Sequence, residues 1–199
     1  MTRPFRQQVD ESILDQAAAL FARRGVAKTS VQEVADAVGL SKTGLLHHFP
    51  SKDALHEAVV AQTTSLGERV LDRVRGLPVG VDRDRAALET LIDIAFAHPG
   101  MVAMLLTPVM QGSDDAVKPA DGGVGGAAFE AFGVDPLKPV DERSVRVAGA
   151  LVVLAVLSLS AHRGDQVATW RPHIIATCFD ALGHGRPGAS RTDSDQVED

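Results

Sequence analysis

Apolar residues recur at helical spacing along almost the whole chain, and Gly, Pro and Ser mark where each run stops. Ile13, Leu14, Ala17, Leu20 and Phe21 form the first stripe, which Arg23, Arg24 and then Gly25 terminate. Ser30 and Glu33 stand at the spacing of a capping box, so a second helix opens there with Val31, Val34, Ala35 and Val38 on one face. Gly39 ends that helix after about two turns. Ser41 caps a third short helix over KTGLLHHF, which Pro50 closes. Ser51 caps a fourth, running to about Arg75 before Gly76, Pro78 and Gly80.

The remainder continues in the same period. Residues 82–98 are amphipathic, with Leu88, Leu91, Ile92 and Ala95 on one side. Pro99 and Gly100 interrupt, and MVAMLLTPVMQG predicts a kinked helix with Pro108 inside it. Residues 112–127 hold five Gly, one Pro and three Asp and predict a loop, after which GAAFEAFG forms a short helix. Two long helices follow, about 140–162 and 166–183, and the Gly-, Ser- and Asp-rich 185–199 reads as a disordered tail. No stretch alternates as a strand would, so the fold class is all-α.

Composition narrows the picture further. The 199 residues are 45% hydrophobic but only 4% aromatic, with no Tyr, so the core is built from Leu, Val, Ala, Ile and Met rather than from the aromatics of a sheet sandwich. A single Cys, Cys178, excludes an internal disulfide and suits a reducing cytoplasm, where this chain is expected. The most apolar stretch, VAGALVVLAVLSLSA at 147–161, falls short of the ~18 residues of a membrane span and reads as a helix at a core or subunit interface. Net charge is −6, yet residues 1–60 carry seven Lys/Arg against seven Asp/Glu, so the whole excess of acid lies beyond them. Contact with a polyanion therefore belongs to the N-terminal third.

That third holds two short helices joined by a tight Gly turn, the arrangement of a helix-turn-helix whose second helix enters the DNA major groove. Ala35 is small where the helices cross, Gly39 makes the turn and Leu40 plugs the core beneath it. Lys42, Thr43, Gly44, His47 and His48 are exposed on the second helix, while Leu45 and Phe49 point inward. The free N–H groups at a helix start also favour phosphate. On spacing alone an ordinary helical hairpin without DNA stays open.

Residues 13–60 resemble the DNA-binding domain of the TetR/AcrR family of bacterial transcriptional regulators. The resemblance is carried by A-x-x-L-F-x-x-x-G, T-S-V-x-E-V-A, the AVGLSK turn and H-F-P-S-K-x-x-L. It implies a three-helix DNA-binding domain at 1–51, a helical ligand-binding and dimerisation domain at 52–184, and the tail. It further implies a homodimer reading a near-palindromic duplex operator, released by a small-molecule effector. Carried over by position, Thr29 and Ser30 would meet phosphates, Lys42, Thr43 and Gly44 base edges, His47 bases or backbone, and Lys52 phosphate, with Ser41 as the cap. Where the family commonly has S-K-G-T-L-Y-x-Y-F, this chain has S-K-T-G-L-L-H-H-F. Leu46 and His48 replace the two tyrosines, and His48 is expected to offer a ring N–H to phosphate instead.

The effector is expected to be largely apolar and bound among Leu91, Ile94, Met101, Met104, Leu105, Thr107, Phe129 and Phe132, with His98, Thr107 and Gln111 as polar groups and the 112–127 loop as a gate. The final two helices, through Val145–Ala161, Ile174, Ile175, Cys178 and Leu182, would form the dimer interface. Neither a phosphate loop nor a nucleophile elbow is present, and no catalytic role, cofactor, metal or membrane partner is expected. His162, His173 and His184 recur every eleven residues, but Arg163, Gly164 and Asp165 break their helix, so they read as helix-end or surface groups. The alternative function is a TetR-like module that binds a ligand or protein, with weakened DNA binding.

Overall fold

The computed structural model describes residues 3–110, 124–135 and 138–185. Nine helices and no strand lie among them: α1 (Arg3–Arg24), α2 (Val31–Ala37), α3 (Lys42–His48), α4 (Lys52–Val74), α5 (Val81–Ala97), α6 (Pro99–Met110), α7 (Val124–Ala131), α8 (Glu142–Arg163) and α9 (Val167–Ala181). The all-α expectation is met. The predicted tail beyond Gly185, Gln111 and most of the 112–127 loop lie outside the described residues. The expected loop is shorter at its far end, since α7 begins at Val124.

The predicted caps are present as hydrogen bonds. The Ser30 hydroxyl accepts from Glu33 N at 3.2 Å while Ser30 N donates to Glu33 Oε2 at 2.8 Å, completing the capping box. Ser41 and Ser51 accept from Gly44 N and Ala54 N, each at 3.0 Å. Gly39, at φ +69°, turns the chain between α2 and α3 in a conformation that a side chain would strain.

Helix α1 packs against α6 and α4, α4 packs in turn against α5 and α7, and α8 and α9 pair with one another. One contiguous core runs from Ile13, Phe21, Val34, Leu45 and Leu55 through Leu66, Leu88, Ile92 and Met101 to Leu154 and Ile174. Helices α5 and α6 meet at 104° around His98, at the predicted Pro-Gly break.

Two buried polar junctions hold this packing. Asp15, on α1, accepts Gly100 N at Oδ2 and Met101 N at Oδ1, both at 3.0 Å, so an α1 carboxylate satisfies the free amides that open α6. Burial pushes that carboxyl above its ordinary range, while the two amides and nearby His98 and His162 pull it back. At the other end, Asp84 is 0% exposed and receives Arg143 Nη2 at 2.6 and 2.7 Å and His184 Nε2 at 2.6 Å. Arg143 Nη2 also donates to Phe132 O at 3.0 Å, tying the starts of α5 and α8 to the end of α7. His184, read from sequence as a helix-end or surface group, is thus part of a half-buried ionic network, because the chain after α9 folds back over α5.

The apolar 147–161 run is the inner part of a longer helix. Helix α8 extends it to 22 residues and is long and apolar enough, by length and composition, to cross a membrane. Val147, Ala150, Leu154, Ser158 and Ala161 nevertheless face the core, and Arg143 and Arg146 stand in its first turns. A second correction concerns the expected interface. Ile174, Cys178 and Leu182 are buried within the subunit, and burial pushes the Cys178 thiol up to about 12. Val145, Val152 and Val156 remain exposed, with Gly149 between them.

The α1–α6 crossing leaves no room for a side chain at Gly100. A Cβ there would lie 1.9 Å from the Asp15 carbonyl oxygen, which is backbone. Gly100→Ala should therefore destabilise the protein by about 3 kcal/mol or more through overpacking, read as a lower urea midpoint. An unchanged midpoint would show that the two helices separate at little cost.

Candidate nucleic-acid interface

The α2–α3 unit is fixed from beneath. Leu45 is buried, with Val34 and Ala35 of α2 also buried, and Leu40 and Phe49 pack against the same core at either end of α3. With Leu45 committed inward, helical geometry turns Lys42, Thr43 and His47 to solvent, and all three are exposed. None of the three has a polar partner in the chain among the described residues. Gly44 sits half-buried, and a Cβ there would come to 3.2 Å from the Ser41 hydroxyl that caps the helix. Ser30 and Ser41 are exposed, each with its oxygen accepting a cap bond.

Three expected contacts are placed differently. Thr29 is only 2% exposed, and its hydroxyl donates to Gly25 O at 2.9 Å, so it closes the turn after α1 rather than facing outward. Lys52 Nζ donates to Val26 O at 3.1 Å and Ala27 O at 3.3 Å, carbonyls of the turn that follows α1. His48 does not present a free ring, because its Nδ1 lies 2.5 Å from Asp10 Oδ1 on α1. Sequence reasoning missed Asp10 altogether; it lies 38 positions away, and no local pattern links the two. Nearby, Arg24 and Glu33 form an ion pair. The Ser30 amide and hydroxyl hold the Glu33 carboxyl below its ordinary range, with a smaller contribution from Arg24.

The residues expected to line an effector site fall into two groups. Leu91, Ile94, Met101 and Phe132 are buried core. Met104, Thr107 and Phe129 are half-buried and Leu105 is exposed, although the Thr107 hydroxyl is spent on Ala103 O at 3.0 Å. Helix α6, with Met101, Met104, Leu105 and Thr107, packs chiefly on α1 and α8, whereas α7, with Phe129 and Phe132, packs chiefly on α4. Helix α5 touches both and carries Leu91 and Ile94 between them.

Residues 13–59 match the tetR family of bacterial regulatory proteins. The chain is 32% identical over 84 residues to the transcriptional repressor KstR2 of Rhodococcus jostii, a stretch covering 42% of this chain and 40% of that one. It is 27% identical over 171 residues to an HTH-type transcriptional regulator of Mycobacterium tuberculosis, Rv1255c, covering 82% of this chain and 80% of the relative. Among solved structures, a Clostridium perfringens protein described as a regulator of fatty acid metabolism shares the fold at a TM-score of 0.51 and 16% identity, covering 86% of this chain and 97% of its own.

Because Ser41 supplies the side-chain cap of α3, Ser41→Ala should cost about 1 kcal/mol of stability. Amide exchange should quicken at Gly44 and its neighbours in α3. Unchanged exchange there would mean that packing of Leu45 alone holds the helix.

Proposed function

We propose that this chain is a TetR-family transcriptional regulator, a repressor that leaves a near-palindromic operator when a small apolar ligand binds; the match of residues 13–59 to the tetR family supports the reading. The observation that carries the reading is the row of Lys42, Thr43 and His47, exposed and unpartnered on a helix anchored by Leu45 and capped by Ser41. In this reading residues 1–51 are the DNA-binding head and 52–184 the ligand-binding and dimerisation body. Lys42 meets phosphate or a base edge, Thr43 and His47 read bases, Gly44 lets the backbone come close, and Ser30 and Ser41 add hydroxyl contacts. Thr29 and Lys52 then support the turn between α1 and α2 rather than touch DNA.

The test is a gel shift on the promoter fragments beside the protein's own gene. Lys42→Ala should weaken binding, and if the lysine contacts phosphate it should flatten the salt dependence by about one unit. Thr43→Ala and His47→Ala should change sequence preference, since base contacts specify where phosphate contacts position. A triple variant that still footprints the same site would sink the assignment. The alternative, a ligand- or protein-binding module with weak DNA affinity, draws support from the inward engagement of Thr29, His48 and Lys52. It predicts no shift of any promoter fragment by the wild-type protein.

The functional unit we propose is a two-fold dimer through the exposed α8 stripe of Val145, Gly149, Val152 and Val156, with the outer face of α9 beside it. A stripe at this spacing on an apolar helix buries its surface against a copy of itself. Val152→Glu and Val156→Glu place charge where the subunit does not use the side chain, so the fold should persist. Each variant should sediment as a monomer at micromolar concentration and lose DNA affinity, whereas a wild-type monomer under the same conditions would refute the assembly.

For the effector, the half-buried Met104 and Phe129 and the exposed Leu105 mark the more open apolar positions, with Leu91, Ile94, Met101 and Phe132 as the packed wall and Thr107 at the edge. A screen of hydrophobic compounds should find ligands that raise the melting midpoint and release DNA. Met104→Trp should abolish both effects. Compounds that stabilise the protein while leaving the DNA complex intact would overturn the release mechanism.

A further inference from the structure

We propose that Ser158 and His98 receive the polar group of the effector, and that this group is a neutral oxygen, a hydroxyl or a carbonyl, on an otherwise apolar molecule; this rests on the ligand-release reading above. Ser158 lies on the inward stripe of α8 with Ala150, Leu154 and Ala161 and is 0% exposed, yet its hydroxyl has no partner. Other hydroxyls on these helices bond the carbonyl one turn back: Thr90 to Ala86 O at 2.8 Å, Thr107 to Ala103 O at 3.0 Å, Ser160 to Val156 O at 2.9 Å and Thr177 to His173 O at 2.9 Å. Ser158 makes no such bond, so its donor and its acceptor both stand unused in the interior. A buried polar group in that state costs stability, and it is retained where something outside the chain satisfies it.

Ser158 stands level with the elbow between α5 and α6. At one end, Arg143 of α8 is bonded to Asp84 of α5. From there nearly equal lengths of helix lead to Ser158 and to His98, so both arrive at the same level about 20 Å on. The other end is pinned as well, since His98 and His162, the latter one turn beyond Ser158, both act on the Asp15 carboxyl. His98 is 7% exposed, and its ring makes no hydrogen bond among the described residues. Its nitrogens are not sealed, because the fully buried side-chain atoms without a partner there are Arg143 Nε and Ser158 Oγ. Ile94 and Leu154, one turn back on α5 and α8, and Met101, in the first turn of α6, are buried and supply apolar surface. A ligand seated here abuts the start of α6, which Asp15 ties to α1.

The chemistry of the pair selects the group. A serine hydroxyl carries a donor and an acceptor, and a neutral imidazole carries one of each. A ligand hydroxyl therefore donates to one and accepts from the other, and a carbonyl accepts from both. A ligand carboxylate would instead face the Asp15 carboxyl, with like charges poorly screened in the interior. No arginine is spare to offset it, because Arg163 is spent on Leu159 O and Arg171 on Asp93.

The experiment titrates the full-length protein with four probes of similar size: octyl alcohol, methyl hexyl ketone, octanoate and octyl fluoride. Wild type should bind the alcohol and the ketone about tenfold tighter than octanoate. Ser158→Ala should lose about tenfold in affinity for the alcohol and the ketone while keeping its affinity for the fluoride. Without ligand it should melt no lower than wild type, because the hydroxyl has no partner to lose. His98→Phe, which keeps the ring but not its nitrogens, should show the same pattern of binding. Wild-type affinity for the alcohol in Ser158→Ala, an equal loss for the fluoride, a lower ligand-free midpoint of that variant, or octanoate bound as tightly as the alcohol would each overturn the inference while an effector pocket stands. Failure of wild type to bind any of the four would instead fell the effector reading, and this inference with it.

Discussion

The Asp15 carboxylate, receiving the first amides of α6, is the junction on which the arrangement of head and body depends. Helix α1 supplies the floor of the α2–α3 unit through Ile13, Ala17 and Phe21, and it also forms the closest approach to α6 at Gly100. A buried carboxylate and two helix-start amides satisfy each other, so neither is left unpaired in the interior. Direction matters as much as energy here. Two hydrogen bonds from successive amides to the two oxygens of one carboxylate fix the crossing of the helices as well as their contact. The head therefore has little freedom to swing on α1 alone, and a change in the pose of α6 is felt by the helix that carries the recognition unit.

The Asp84 network does the corresponding work at the other end. Asp84 stands in the first turn of α5, where the helix start favours a negative charge, and Arg143 brings the compensating cation from α8. Arg83 adds three donors to the carbonyls of Leu77, Glu130 and Ala131. Helix α7 is only eight residues long, too short to be stable by itself, and Glu130 O, Ala131 O and Phe132 O at its end accept from these two arginines. The segment after α9 closes the same knot through His184, so the end of the helical bundle is tied to its middle.

What was legible in the sequence was what is local. The caps at Ser30, Ser41 and Ser51, the turn at Gly39, the break at Pro99 and the inward Leu45 all follow from patterns within a few residues, and each is where the pattern put it. What was illegible is pairing across the chain. Asp15 with Gly100, His48 with Asp10 and Asp84 with His184 join residues 85, 38 and 100 positions apart, and nothing in either neighbourhood announces the other. The exposed candidates were misplaced for a related reason. Thr29 and Lys52 look available for phosphate until the turn after α1 is built, and its carbonyls then claim both donors. On α8 the reading erred by phase: an almost wholly apolar helix does not declare which face turns inward. Only packing of α8 against α5, α6 and α9 separates Leu154 from Val152 and Val156.

The charge pattern and the rigid junction bear on one another. With a net charge of −6, the protein as a whole is repelled by DNA, and residues 1–60, with seven Lys/Arg against seven Asp/Glu, add no net positive charge to offset this. Arg24 is paired with Glu33 and Lys52 with carbonyls, which leaves Lys28 and Lys42 as head lysines without polar partners among the described residues. A head that displaces so few counterions binds weakly by itself, because the sequence-independent part of the affinity scales with the phosphates neutralised. In the proposed dimer, joining two such heads would make the second contact intramolecular and raise the affinity without any new cation. That gain exists only if the heads are held at a spacing the duplex can match. A flexible neck would dissipate it, whereas an α1–α6 crossing with no space for even a methyl group preserves it. For the dimer proposed above, the acidic body and the close-packed neck then belong to one design, in which affinity would rest on geometry more than on charge and would be open to control by whatever shifts the pose of α6.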